Sequence, residues 1–304
     1  METIALFGPT GVGKTAVAVE LARLLRARGE DPVAVSADAL QVYAGLEVLT
    51  GVATPAEQAL LEHRLVSFLP VDATFSVGQY AQLAHAEIDD LLAAGRRPIV
   101  VGGTGLYLRA ALTELDLRPP PPEGLREHWR AQLQAHGPAA LHELLSARAP
   151  DAAAQIAPTD SQRVVRALEL HDLGELPEAD GEEPGERSQL WSAEVRTPTL
   201  LAGLTMEREP LYARIDARVE EMVAAGAREQ VLAAHAAGAS ETARKALGFE
   251  ELLAGDVERM QRRTRNYAKR QLTWMRKLAG VRLIDLTGRD PGDAAREILD
   301  SAAQ

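Results

Sequence analysis

Gly8-Pro9-Thr10-Gly11-Val12-Gly13-Lys14-Thr15 has the spacing G-x-x-x-x-G-K-T, that of a phosphate-binding loop. Glycines let successive backbone N–H groups point inward at anionic oxygens, and a helix starting here adds the positive end of its dipole. Lys14 is placed to meet a terminal phosphate, and Thr15 to offer Mg²⁺ a hydroxyl. Further along, Asp38 follows the apolar run Val33 to Ala37, and Thr104 follows Pro98 to Val101 and two glycines. A third feature is cationic. Arg259, Arg262, Arg263, Arg265, Lys269, Arg270, Arg276 and Lys277 fall in one stretch without an acidic residue, interleaved with Tyr267 and Trp274. Such a field suits an extended phosphate backbone, although a helix could equally pack its aromatic side inward and solvate its arginines.

The elements that must hold these groups are readable in outline. Thr3 to Phe7 reads as a strand and Ala16 to Leu25 as a helix, the context in which the loop pattern carries meaning. Further strands are expected at 33–37, 63–68, 98–101 and 200–204, with a helix over 78–94 stopped by Gly95. Alternating strands and helices predict a P-loop NTPase-like parallel α/β sheet with helices on both faces. Carboxyl ends of such strands face the ligand, so Asp38 and Thr104 should share the edge of the phosphate loop. Asp38 could also serve as a helix N-cap. No second aspartate follows four apolar residues, as a motor or switch ATPase requires.

Beyond Arg118 the texture changes. Pro119 to Pro122 is a stiff break, and 124–172 reads as helices rich in Ala, Leu, Arg and His. We therefore expect a core of 1–118 and 197–304 and an all-helical insertion of 119–196. Within it Gln162, Arg163 and Arg166 share a helix face, which could be simply solvated. Gly174 to Glu186, acidic and rich in Pro and Gly, reads as an exposed loop without chemistry. The chain of 304 residues has a net charge of −11, 46% hydrophobic and 25% charged residues, and no cysteine. This composition fits a globular protein of a reducing cytoplasm, without disulfides or thiolate zinc. It argues against nonspecific nucleic-acid binding by the whole surface. Strand-like residues at the N-terminus leave no room for a signal peptide, and no apolar run suggests a membrane span. The seven histidines show no metal-ligand spacing. Nothing demands more than a monomer.

Taken together, the motifs resemble the tRNA dimethylallyltransferases, which prenylate N6 of adenosine-37 beside the anticodon. The resembling segments are Gly8 to Thr15 (GPTGVGKT), Ser36 to Tyr43 (SADALQVY), Val101 to Leu108 (VGGTGLYL), Gln162 to Glu169 (QRVVRALE) and Thr264 to Trp274 (TRNYAKRQLTW). The resemblance implies that the loop holds the diphosphate of dimethylallyl diphosphate and that ATP is not the reactant, despite the nucleotide-binding, ATP-binding character such loops carry. Gly8, Thr10, Gly11, Val12, Gly13, Lys14 and Thr15 would cradle that group, with Arg218 neutralising charge and Thr15 next to Mg²⁺. Asp38 would be the general base, and Thr104 would act beside it. The implied tRNA contacts are Asp38, Ala39, Leu40, Gln41, Thr104, Arg126, Gln162, Arg163, Val164, Val165, Arg166, Arg262, Arg265 and Lys269. Ala39 departs from the family's usual serine, so a hydroxyl contact is lost there.

The implied product is N6-dimethylallyladenosine in tRNAs reading codons that begin with U. An adenylate prenyltransferase would keep the loop and Asp38 but have little use for the insertion or the basic helix. A P-loop small-molecule kinase, or a noncatalytic nucleotide-dependent RNA-binding protein, would account for the loop alone.

Overall fold

The computed structural model describes residues 2–115, 117–118, 120–122, 124–176, 190 and 192–301. By its internal contacts the chain divides into two compact units, Met1–Leu115 with Gln189–Gln304, and Asp116–Ser188.

The first unit is built on six parallel strands: β1 (Thr3–Phe7), β2 (Pro32–Ser36), β3 (His63–Arg64), β4 (Arg97–Gly102), β5 (Thr199–Thr205) and β6 (Arg282–Asp285). Their order is β3-β2-β4-β1-β5-β6. β1 pairs Ala5 with Val100 of β4 on one side and with Leu201 of β5 on the other. The chain thus fills the sheet leftward from β1 and then rightward, which puts the ligand crevice at the carboxyl end of β1. Every residue of β1 and β2 is buried, as expected where helices cover both faces of a parallel sheet. Alternate side chains serve the two faces. Ile4 and Leu6 join Val17, Leu21 and Leu25 of α1 (Lys14–Ala27), while Ala5 and Phe7 are buried outside that cluster. Also in this unit are α2 (Val77–Ala93), whose N-cap Ser76 forms a reciprocal capping box with Gln79, and α3 (Gly105–Leu112).

The expected strand at 63–68 is cut to two residues. Leu65 and Ser67 take positive φ of 58° and 49°, a left-handed backbone that cannot continue a ladder. Its apolar pattern came from a turn whose Ser67 and Phe68 N–H groups donate to the Gln41 and Val42 carbonyls.

The second unit contains α4 (Leu125–Arg148) and α5 (Ser161–Asp172). Gly137, at φ 78° and ψ 169°, followed by Pro138, kinks α4. Trp129, Leu141, Leu145, Val164 and Leu168 make its core, and the Trp129 indole N–H donates to Asp172 at 2.9 Å. The acidic segment expected at 174–186 lies almost wholly outside the described residues. Returning to the first unit, α6 (Arg208–Ala224), α7 (Val257–Met275) and α8 (Pro291–Ser301) follow β5. No helix of the described residues is long and apolar enough to cross a membrane.

Candidate active site

β1 ends at Phe7 and α1 begins at Lys14, so the loop between them lies at the carboxyl edge of the sheet. Gly13 is the N-cap of α1 at φ 108°, a conformation that only glycine holds without strain. Lys14 Nζ donates to the Gly8 and Pro9 carbonyls at 2.9 and 3.0 Å. Desolvation and, less strongly, the nearby Arg218 charge lower the Lys14 pKa to about 8, against an opposing pull from Asp38. α6 supplies the flank. Ile215 packs under Gly11, the Arg214 guanidinium lies beside Gly13, and that of Arg218 lies against Gly51, where a Cβ would overlap it. Burial draws the Arg218 pKa down as well.

Asp38 follows β2 and Thr104 follows β4, and the two meet. Asp38 accepts from the Leu40 N–H at 3.0 Å, and the Thr104 hydroxyl lies close enough to favour its charged form. It therefore closes a short side-chain-to-backbone turn and caps no helix. Desolvation raises its pKa, opposed mainly by the Leu40 hydrogen bond and the Lys14 charge. Thr104 occupies the N-cap position of α3 without capping it. Its hydroxyl lies 3.3 Å from that of Tyr267. Burial, with help from the Asp38 charge, pushes the Tyr267 pKa to about 12, so the phenol remains a neutral donor. A polar cluster at one sheet edge thus combines cations for an anionic group with a carboxylate of heightened basicity.

The glycines of Val101 to Leu108 have a tertiary cause. A Cβ at Gly102 would overlap the Ala37 carbonyl, one at Gly103 the Gln271 side chain, and one at Gly105 the Trp274 ring. Gln271 is buried on α7. Its Oε1 accepts from Thr10 N–H at 2.9 Å, and its Nε2 donates to the Gly103 carbonyl at 2.7 Å. The Thr10 amide is thereby committed within the protein.

α7 is the expected basic helix, and it turns its aromatic side inward. Its inner face, with Tyr267, Gln271 and Trp274, packs on the site. Four of its arginines meet carboxylates, from other elements or from its own first turn. Arg265 pairs with Asp216, Arg263 and Arg259 with buried Glu251, and Arg262 with Glu258 at 3.6 Å. Lys269 is exposed, and no ion pair to it occurs among the described residues.

In the helical unit, Glu169 is 1% exposed and accepts from Arg126 through Nε and Nη2, at 3.0 and 3.2 Å, and from Arg166 at 3.0 Å. Gln162 and Arg163 are exposed. Val164 and Val165 are buried in the core of the unit, so their side chains support the helix face and do not belong to it. Gln41 is likewise committed internally, accepting from Ser36 Oγ at 2.8 Å and donating to the Gly51 carbonyl at 3.0 Å. Ala39 and Leu40 are partly exposed beside Asp38.

Residues 41–278 match the family model described as IPP transferase. A tRNA dimethylallyltransferase of Kineococcus radiotolerans is 40% identical, over 98% of this chain and 95% of its own. The chain belongs to the IPP transferase family, that of the tRNA dimethylallyltransferases. The solved full-length tRNA isopentenylpyrophosphate transferase of Bacillus halodurans is 32% identical with a TM-score of 0.70, covering 99% of this chain and 95% of that one. A eukaryotic dimethylallyltransferase acting on tRNA is 25% identical with a TM-score of 0.75, covering 94% and 74%.

Within this member of the family, the sheet edge brings together Gly8 to Thr15, Asp38, Thr104 and Arg218. Arg126 and Gln162 to Arg166 lie in the other compact unit. Sequence reasoning missed Arg214 and Gln271. Arg214 is four residues before Arg218, one turn of helix away. Gln271 has a weaker signal. It stands four residues after Tyr267 and three before Trp274, on the non-arginine side of a basic helix.

Proposed function

We propose that the protein transfers the dimethylallyl group of dimethylallyl diphosphate to N6 of adenosine-37 in tRNA. The observation that carries this reading is the meeting of the phosphate loop with Asp38 and Thr104 at one sheet edge, in a chain of this family. An exocyclic adenine amine is a poor nucleophile, because its lone pair is delocalised into the ring. An allylic diphosphate is a good electrophile once charge on its leaving group is stabilised. In the transfer, N6 attacks C1 of the dimethylallyl group, the C1–O bond breaks, and the electron pair leaves with diphosphate. The loop amides other than those of Thr10 and Val12, whose N–H donates to the Pro9 carbonyl at 3.3 Å, would stabilise that departing charge together with Lys14, Arg214 and Arg218, commonly the largest catalytic contribution. Asp38 would take the amine proton, a step worth roughly 10²–10⁴-fold. Its raised pKa suits that task. Reaching the loop requires adenosine-37 to leave its stack, and Thr104 and Tyr267 would flank the flipped base.

Mg²⁺ fits the donors present. Thr15 stands at the start of α1, and its hydroxyl has no hydrogen bond among the described residues. No cluster of three acidic or histidine ligands exists among the described residues. Mg²⁺ in phosphate-transfer sites characteristically takes few protein ligands and completes its shell with substrate phosphates and water. When bound, the ion would neutralise charge on the diphosphate. Exposed Gln162, Arg163 and Lys269, with Arg126, Arg166, Arg262 and Arg265, are the residues to which we assign tRNA contacts. We take the protein to act as a cytoplasmic monomer.

The test is incubation with labelled dimethylallyl diphosphate, Mg²⁺ and unmodified tRNA carrying adenosines at 36–38, beside a reaction with free AMP. Label in tRNA at position 37 is expected. Folded protein that labels neither acceptor defeats the proposal, and labelling of AMP alone replaces it with adenylate prenylation.

A further inference from the structure

Among the described residues, three side chains on one face of α7 lie against the site, and Gln271 bonds to both loops. Tyr267 meets Thr104, Trp274 lies over Gly105, and Gln271 spans from Thr10 to Gly103. Those two loops carry opposite halves of the reaction: Thr10 opens the diphosphate cradle, and Gly103 directly precedes Thr104 beside the base Asp38. We propose that Gln271 is a positioning residue for the transfer step, setting the separation of the two loops by one bidentate amide. The inference rests on the proposed function for its reading of the loops, but not for the hydrogen bonds themselves.

Several observations converge on this role. Gln271 is 4% exposed, so both of its bonds are sheltered from competing water. Its partners lie 261 and 168 positions away in sequence, and both stand beyond the last pair of the β1–β4 ladder, Phe7 with Gly102, so the ladder does not itself bond them. A carboxylate would lack the donor for Gly103, and an ammonium would lack the acceptor for Thr10; an amide carries both. The join is also crowded. The space a Cβ at Gly103 would take is 3.1 Å from the Gly8 carbonyl and 3.3 Å from Lys14 Nζ, and Gln271 Nε2 overlaps it. Lys14, itself held to the Gly8 and Pro9 carbonyls, thus stands at the same join. Transfer in one step requires C1 and N6 to approach within near-attack distance, and a misplacement of about 1 Å costs about 10²-fold in rate.

The test uses Gln271→Met, which keeps length and volume and removes both hydrogen bonds, and Gln271→Glu, which keeps the acceptor for Thr10 and loses the donor. For the Met variant we expect kcat lower by about 10–100-fold, with KM for tRNA within about twofold of the parent. In the unliganded protein, amide exchange at Thr10 should become about tenfold faster while β1 and β4 keep their protection. The Glu variant should keep slow exchange at Thr10 yet still lose about tenfold in kcat. It decides the matter alone should the Met variant fail to fold. A Met variant with kcat within twofold of the parent, or with unchanged Thr10 exchange, overturns the inference. So does a loss spread equally over kcat, tRNA binding and exchange throughout the core, which would mark a plain packing residue. If the parent itself transfers nothing, the proposed function falls, and Thr10 exchange still decides whether Gln271 holds the loop.

Discussion

Lys14 and Arg126 are both cations assigned to substrate, and the protein holds them in opposite ways. At the sheet edge Lys14 bonds to backbone carbonyls, with its positive neighbour Arg218 helping to lower its pKa to about 8. In the helical unit Arg126 is clamped in two-point contact to the buried Glu169, which Arg166 shares. The first arrangement keeps positive field in reserve for an anion that grows during reaction. The second gives up field to fix direction, as suits a guanidinium that must meet a rigid acceptor in one orientation. Catalysis by charge and recognition by geometry thus make different demands on the same kind of side chain.

Breaking the sheet-edge side of this contrast should have the largest effect. Asp38→Asn is expected to lower kcat by about 10²–10⁴-fold with tRNA affinity nearly unchanged, read by single-turnover kinetics and direct binding; an equal loss of affinity would make Asp38 a binding element. Lys14→Ala should cost about 10²–10³-fold in kcat, the scale for removing one donor aimed at developing charge. Its effect should exceed that of Arg126→Ala on the same step.

The pH dependence sharpens the comparison. Asp38 must be deprotonated to act, and its pKa lies above the ordinary carboxylate value, so kcat/KM for dimethylallyl diphosphate should fall as pH drops through that raised value. Lys14 must be protonated, so the same parameter should fall again as pH rises through about 8. Bound diphosphate favours the ammonium, so the upper limb of kcat should lie at higher pH than that of kcat/KM. Coincident upper limbs would remove Lys14 from the diphosphate site.

On the other side, Glu169→Gln should release Arg126 and Arg166 from their shared carboxylate. We expect KM for tRNA to rise several-fold with kcat little changed. Thermal unfolding should reveal a stability loss, since removing one partner of a buried ion pair costs about 3–5 kcal/mol and half-exposed arginines retain part of their solvation. A fall in kcat at constant KM would place Glu169 in the chemistry. The smallest expected effect separates paired from unpaired cations on α7. Lys269→Ala should flatten the slope of log affinity against log salt by roughly 0.7–0.9. Arg265→Ala, whose charge Asp216 already meets, should flatten it by less.

How much of this was legible beforehand follows from the range of each interaction. The phosphate loop was readable because strand, glycine turn and helix are contiguous. Asp38 and Thr104 were readable because strand ends in a parallel sheet share one edge. The reason for glycine at 102, 103 and 105 was not readable, because the atoms that forbid a Cβ belong to Ala37, Gln271 and Trp274. The charge of α7 was overread for the same reason: the stretch has no acidic residue of its own, and Asp216 and Glu251 come to it from other elements. Val164 and Val165 fell inside a resembling motif, and only the packing separates its core-facing from its solvent-facing residues. The strand expected at 63–68 failed for a local reason, since apolar alternation does not reveal two residues of left-handed φ.

The strand order also has a consequence in time. β1 pairs with β4 on one side and with β5 on the other, and the helical unit is synthesised between those two partners. A growing chain can assemble β3-β2-β4-β1 and must then present β1 as a bare edge until Thr199–Thr205 emerges. At roughly 5–20 residues per second, that wait lasts several seconds. The exposed ladder is apolar along most of its length, the kind of edge that recruits another chain. The inserted helices thus burden the nascent protein with an interval of vulnerability during translation.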